Sequence, residues 1–394
     1  MSRCEKTSCL KRRHKESLAT NYIGFIKCVE NISKYRKYNS YLEEKLDTAE
    51  LTKKTYETFK KCATSHKELF KKYIELYKKA LKLPDLKSYD IAAPLTPSSK
   101  TNYSIEEAKK IILDTFSIYG GEYSRVLEKA FDEHCIDYFP RDGKTTMWLS
   151  SYIPYEHPLI IAQYTGKLCD ISSLSHELGH FVNQYLSIQK QLPPYVFGST
   201  FTAEIASLTN EIVFSNVYRN KTEDITEKKE LLGCFFKVFA GNFFGAAKQA
   251  LFEEKAHQSA KDGIPLSSEV LAKYWNTTNS EVMGDLFEKS KGNMWAAIPH
   301  FFMGGGHYTF NYSTAIVAST VLASKLLNKE EGMLDRYMHF LTLGSSVPPL
   351  EALKALGIDM ENAQTYEIAF ETFDHAIDEL SELLELDGEK NGSK

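Results

Sequence analysis

The run His176-Glu177-Leu178-Gly179-His180 narrows what this chain can fold into more than any other feature. Residues four apart on a helix share one face. Two imidazoles so placed can grip a single divalent ion, and the carboxylate between them can reach a water held by that ion. The run therefore asks for a helix, and its flanks provide one. Ile171, Leu174, Leu178, Phe181, Val182 and Tyr185 recur at helical spacing and make an apolar stripe that can bury. Asp170 is placed to cap the first turn through its side-chain oxygen. His176, Glu177 and His180 fall beside the stripe rather than in it.

A catalytic zinc takes three protein ligands and keeps one position open. The segment from Phe201 to Glu211 reads as a second helix, and Glu204 within it is the candidate third ligand. Without the His pair upstream, Glu204 would read as an ordinary surface residue. Glu211, two turns on, is placed to orient a ligand His through its free ring N–H. On this reading His176, His180 and Glu204 hold one zinc ion per chain. Glu177 is the general base of a peptide hydrolysis.

These segments resemble the oligoendopeptidase F and thimet oligopeptidase family of zinc metallopeptidases. The resemblance is carried by Ser175 to His180 and by the Ala-Glu-Ile-Ala-Ser-Leu-Thr-Asn-Glu run from Ala203 to Glu211. Other parts agree: Tyr89 to Leu95, His157 to Ile160, the Tyr164-Thr165-Gly166 turn, and a degenerate stretch from Lys248 to Glu254. Ile298 to Phe302 and Tyr308 to Thr314 are similar to the family's His- and Tyr-rich catalytic segment. The resemblance implies a mainly α, zincin-like fold with a small sheet beside the zinc helix and a deep substrate channel. It implies cleavage of short, unfolded oligopeptides. It also points to His300, Tyr308 and Tyr312 as donors to the oxyanion and the substrate. The Gly304-Gly305-Gly306 stretch shifts the register, so His307 competes for the role given to His300. Full-length relatives carry a longer N-terminal helical lobe, which leaves two expectations here: a more open channel, or a divergent short form.

Composition bounds the remaining choices. Hydrophobic residues make up 43% and charged residues 25%, as in ordinary soluble globular proteins. A net charge of −4 gives no reason to expect a nucleic-acid partner. Residues 1–90 carry 22 Lys+Arg against 12 Asp+Glu, with Lys pairs at 53–54, 60–61, 71–72 and 78–79. These read as solvated faces of long helices. Seven scattered Cys without a paired motif point to reduced thiols, with Cys169 a small buried apolar residue. No signal sequence is expected, and the apolar run Ala315 to Leu327 is too short to span a bilayer. Cytoplasmic residence without membrane association follows.

Along the chain, residues 1–95 read as an N-terminal helical region and 96–394 as the zinc metallopeptidase domain. Pro94 to Lys100 links them. Thr145 to Ile153 and Leu159 to Thr165 read as strands ahead of the zinc helix. Thr145 to Ser151 is the candidate edge for pairing with an extended peptide. Two rival readings stay open: a zinc carboxypeptidase or dipeptidyl carboxypeptidase, and a non-catalytic peptide-binding protein that keeps zinc for stability. The intact Glu177 weighs against the second, because a structural zinc site has no use for a general base.

Overall fold

The computed structural model describes residues 14–84, 86–87, 90–95, 102–152, 156–286, 294–302 and 306–392. Helix makes up 70% of the chain, beside one three-stranded sheet, so the expected mainly α architecture is observed. In chain order the helices are α1 (Lys15–Tyr35), α2 (Tyr41–Thr48), α3 (Lys53–Ser65), α4 (Lys67–Ala80), α5 (Ile105–Phe116) and α6 (Gly121–Asp132). After the strands come α7 (Leu168–Lys190), α8 (Ile205–Lys221), α9 (Ile225–Ala240), α10 (Ala246–Lys261), α11 (Ser268–Met283) and α12 (Phe310–Leu327). The chain closes with α13 (Met333–Phe340), α14 (Pro349–Ala355) and α15 (Ala363–Gly392). Several helices start where the sequence supplies a cap. The side chains of Ser40, Thr52, Ser104 and Ser267 each accept a backbone N–H three residues on. A π-helical turn, Gly241–Gly245, joins α9 to α10. The stretch Ile225–Lys261 is long and apolar enough to cross a membrane by composition, and 61% of its most apolar window is buried within the protein.

Two compact units are built from interleaved segments. The first gathers Met1–Glu75, Pro84–Ile91 and Ala240–Thr314. Its core is aromatic: Tyr22 of α1 lies 5.5 to 6.0 Å, centroid to centroid, from Phe252, Trp295 and Phe301. Ile26, Leu271 and Trp275 are buried around them. Residues 15–80 are largely helical, in line with the N-terminal helical region read from the sequence. The Lys side chains at 53, 54, 60, 61 and 71 are exposed, as solvated faces require.

The second unit gathers Leu76–Leu83, Ala92–Phe239 and Ala315–Lys394. Its sheet runs in the order β1-β3-β2, with β1 at Ile136–Asp137, β2 at Leu149–Tyr152 and β3 at Pro158–Ile161. β2 pairs antiparallel and β1 parallel with β3. The two expected strands exist but are shorter than their sequence patterns. Thr145 and Trp148 are irregular, Thr146 and Met147 form a bend, and Ile153 lies outside the described residues. β1 carries too few residues to leave an alternating pattern.

The expectation for Cys169 fails. Cys169, read as a free apolar residue, is disulfide-bonded to Cys234, 65 residues away, joining α7 to α9. Such a separation has no local signature, so the pair is invisible in the sequence. Cys28, Cys62 and Cys135 are free, as expected.

Candidate metal centre

The second unit builds its polar centre on the packing of α7 against α8. Gly179, inside the His-Glu run, makes that packing possible. A Cβ there would lie 2.7 Å from both the Ala206 carbonyl oxygen and the Ser207 Cα. Only glycine lets the two backbones come this close. Asn210, fully buried on α8, ties the contact together. Its Nδ2 donates to the Ser175 carbonyl at 3.2 Å, and its Oδ1 accepts from the Tyr123 hydroxyl at 2.7 Å. The apolar stripe of α7 is buried as predicted, with Tyr185 only partly covered. The helix begins at Leu168, so Asp170 is its third residue rather than its cap. The Asp170 carboxylate reaches back to accept from the backbone N–H groups of Thr165 and Lys167.

One turn of α7 separates His176 from His180, and their ring centroids lie 5.0 Å apart. The Nε2 atoms of His176 and His180 approach the same oxygen, Glu204 Oε2, at 3.4 and 3.2 Å. Glu204 stands immediately before α8 rather than within it. From there its carboxylate also accepts from the Ser207 hydroxyl at 3.0 Å. Behind the pair, His176 Nδ1 faces Glu211 Oε2 at 3.1 Å. That contact leaves His176 Nε2 free to point forward. Ligand atoms of His176, His180 and Glu204 all lie within 4.8 Å of one another, as one ion would need.

Glu177 is buried, and its Oε2 has no protein hydrogen-bond partner. Burial pushes its carboxyl pKa above the ordinary value, while the neighbouring imidazoles pull the other way. Burial also favours a neutral Glu204, but hydrogen bonds from His176 and His180 outweigh it and hold that carboxyl well below the usual range. In the same way burial disfavours a charged His176, and the hydrogen bonds and charges of Glu204 and Glu211 push its pKa well up. Two imidazoles and one carboxylate match the donor set of a catalytic zinc site, and a buried carboxylate with one unpartnered oxygen stands beside them. These residues fit a zinc ion.

The other predicted residues belong to the first unit. His300 lies in a short 3-10 turn, Pro299–Phe301. Tyr308 precedes α12, and Tyr312 lies in its first turn. The three side chains cluster, with His300 stacked on Tyr308 at 5.4 Å and its Nε2 3.3 Å from the Tyr312 hydroxyl. His307, the competitor for His300, is buried elsewhere, against Tyr41 and His257. Gly304 and Gly305 lie outside the described residues. At Gly306 a Cβ would come within 2.8 Å of the Tyr41 ring, so its small size serves close packing.

Sequence reading gave no role to Ser207, Asn210, Tyr123 or Gly179. Ser207, Thr209 and Asn210 are buried polar residues of α8, and their burial shows only in the structure.

The model of peptidase family M3 matches residues 5–372. Oligopeptidase PepF of Bacillus subtilis (strain 168) is 31% identical over 374 residues, which make up 94% of this chain and 56% of that protein. An oligoendopeptidase F homolog of Lactococcus lactis subsp. lactis (strain IL1403) is 32% identical over 356 residues, 89% of this chain and 58% of that one. The chain thus spans a little over half the length of these curated relatives. The solved structure of oligoendopeptidase-F from Enterococcus faecium superposes with a TM-score of 0.75 at 27% identity, covering 96% of this chain and 62% of that one. A Chlamydophila abortus chain superposes with a TM-score of 0.86 at 28% identity, with coverage of 96% and 63%.

Proposed function

Because the chain belongs to peptidase family M3, we propose that it is a zinc-dependent endopeptidase acting on short, unfolded oligopeptides. One observation carries the reading: His176, His180 and Glu204 converge, with Glu177 buried beside them and its Oε2 without a protein partner. The names of relatives, oligopeptidase and oligoendopeptidase, support the substrate class.

His176, His180 and Glu204 would hold the zinc. Bound there, zinc supplies a Lewis acid that polarises the scissile carbonyl and acidifies a water. Glu211 fixes the His176 ring through Nδ1 and so decides which nitrogen faces forward. Glu177 takes the proton of the attacking water and delivers it to the departing amine nitrogen. Its raised pKa suits both transfers. His300, Tyr308 and Tyr312 are proposed as the N–H and O–H donors to the developing oxyanion and the peptide backbone. Support comes from the family resemblance and from their mutual clustering. Burial lowers the pKa of His300, which favours a neutral ring able to donate or accept. An extended peptide would pair with the edge of β2.

Cytoplasmic residence is part of the same proposal. It requires Cys169 and Cys234 to cycle with the thiol pool rather than stay permanently oxidised.

The test combines metal analysis of the purified protein with cleavage of a quenched peptide library, with and without chelator, and mass mapping of products. Internal cuts that vanish on chelation and return with zinc are expected. Cuts confined to C-terminal residues would favour a carboxypeptidase. Cleavage indifferent to chelator would remove the zinc mechanism.

A further inference from the structure

We propose that Tyr152 and Phe197 form an aromatic notch that selects peptides by one bulky apolar side chain. This rests on the peptidase reading above and deepens it. Ile160 and Ala162 donate their N–H groups to Cys135 and Asp137, so the even-numbered residues of β3 face β1. Leu159 and Ile161 must then face β2, where they pair with Ser151 and Leu149. The alternate residues of β2, Ser150 and Tyr152, are left turning their N–H and C=O groups to its outer edge. That edge has no strand neighbour among the described residues.

The same two residues point their side chains toward α7. Ser150 Oγ lies 3.3 Å from Gln184 Oε1, and Gln184 follows His180 by four residues, on the same face of the helix. Tyr152 continues that face of the strand. The Phe197 ring leans on it, with centroids 4.4 Å apart and planes tilted by 52°. Phe197 is 58% exposed, yet the two residues before it are held by hydrogen bonds. The Val196 carbonyl accepts from Ser187 Oγ at 2.8 Å, and the Tyr195 carbonyl accepts from the Ser345 N–H at 2.8 Å. A large apolar ring is thus kept in water by a fixed loop, next to a partly exposed tyrosine and a free strand edge. A peptide paired with Ser150 and Tyr152 alternates its side chains, so every second one falls on the side of the notch. Two tilted rings offer apolar faces to Phe, Leu or Met, with the Tyr152 hydroxyl as their one polar group.

The test uses quenched peptides varied one position at a time among Phe, Leu, Ala and Asp. The metal-loaded wild type is compared with Phe197→Ala and Phe197→Leu. Binding of the same peptides to Glu177→Gln, and to Glu177→Gln carrying Phe197→Ala, is read by fluorescence anisotropy. At one position the wild type should favour Phe over Ala by about tenfold or more in kcat/KM. Phe197→Ala should bring that ratio to within about threefold of unity, Phe197→Leu should keep most of it, and binding should follow the same pattern. A ratio unchanged in Phe197→Ala, or an equal loss for every side chain, overturns the notch. Cleavage without a preference at any position removes the notch and leaves the peptidase. A Phe197-dependent preference in binding, with no cleavage by wild type, keeps the notch and removes the peptidase. Failure to bind and to cut removes both.

Discussion

Glu177 and Glu204 share one polar cluster yet are tuned in opposite directions. Burial raises the carboxyl pKa of the first, while two imidazoles commit the second to the charged form. That split is what a base and a ligand require. Glu177→Gln keeps the shape and removes the proton acceptor. Turnover should fall by about 10² or more, with zinc content unchanged by elemental analysis. Glu211→Ala removes the carboxylate behind His176 and should weaken zinc binding by about 10- to 100-fold in a competition titration with a chromophoric chelator. Unchanged affinity would show that Glu211 does not orient the ring. The convergence of His176 and His180 was legible because helical spacing puts them on one face, and Glu204 was picked out only by the run from Ala203 to Glu211 downstream of that pair. Ser207, Asn210 and Tyr123 were not legible. They act across contacts between separate elements, and a single sequence does not record such pairings.

At the scale of elements, α7 and α8 depend on one missing methyl group. Gly179→Ala drives a Cβ into the backbone of Ala206 and Ser207. The cost should be about 1–3 kcal/mol or more, visible as a lower midpoint in thermal melts and as lost zinc. The disulfide ties the first turn of α7 to α9. Cys234→Ser should lower stability by about 2–4 kcal/mol in denaturant titrations, and a reducing agent should move the wild type toward the variant. If Cys169 alkylates fully without reductant, the pair is not formed in solution. Helices were read well because their apolar spacing is long and regular. The start of α7 lies three residues before the one its sequence suggests, because an Asp at the third helical position resembles a cap. β1 was missed because two residues cannot show a period.

At the scale of the molecule, buried charge shapes the response to pH. Burial lifts the carboxyl of Glu253 from 4.5 to about 8. Between those values the native chain holds a proton that the unfolded chain has released, so stability falls as pH rises through that window. Burial lowers Lys248 from 10.5 to about 8, so the unfolded chain holds the extra proton above pH 8 and stability recovers there. Melting midpoints should therefore dip near pH 8, and Glu253→Gln should flatten the fall below it. The same pH trend in Glu253→Gln as in the wild type would contradict the burial of Glu253. The division into interleaved units was beyond the sequence reading, because partners hundreds of residues apart leave no local periodicity. That interleaving has a consequence for synthesis. Tyr22 leaves the ribosome long before Phe252, Trp295 and Phe301, against which it packs. At about 5–20 residues per second, the wait is on the order of ten to fifty seconds. For that interval the first helix offers its aromatic side to chaperones and to neighbouring nascent chains before its own partners arrive.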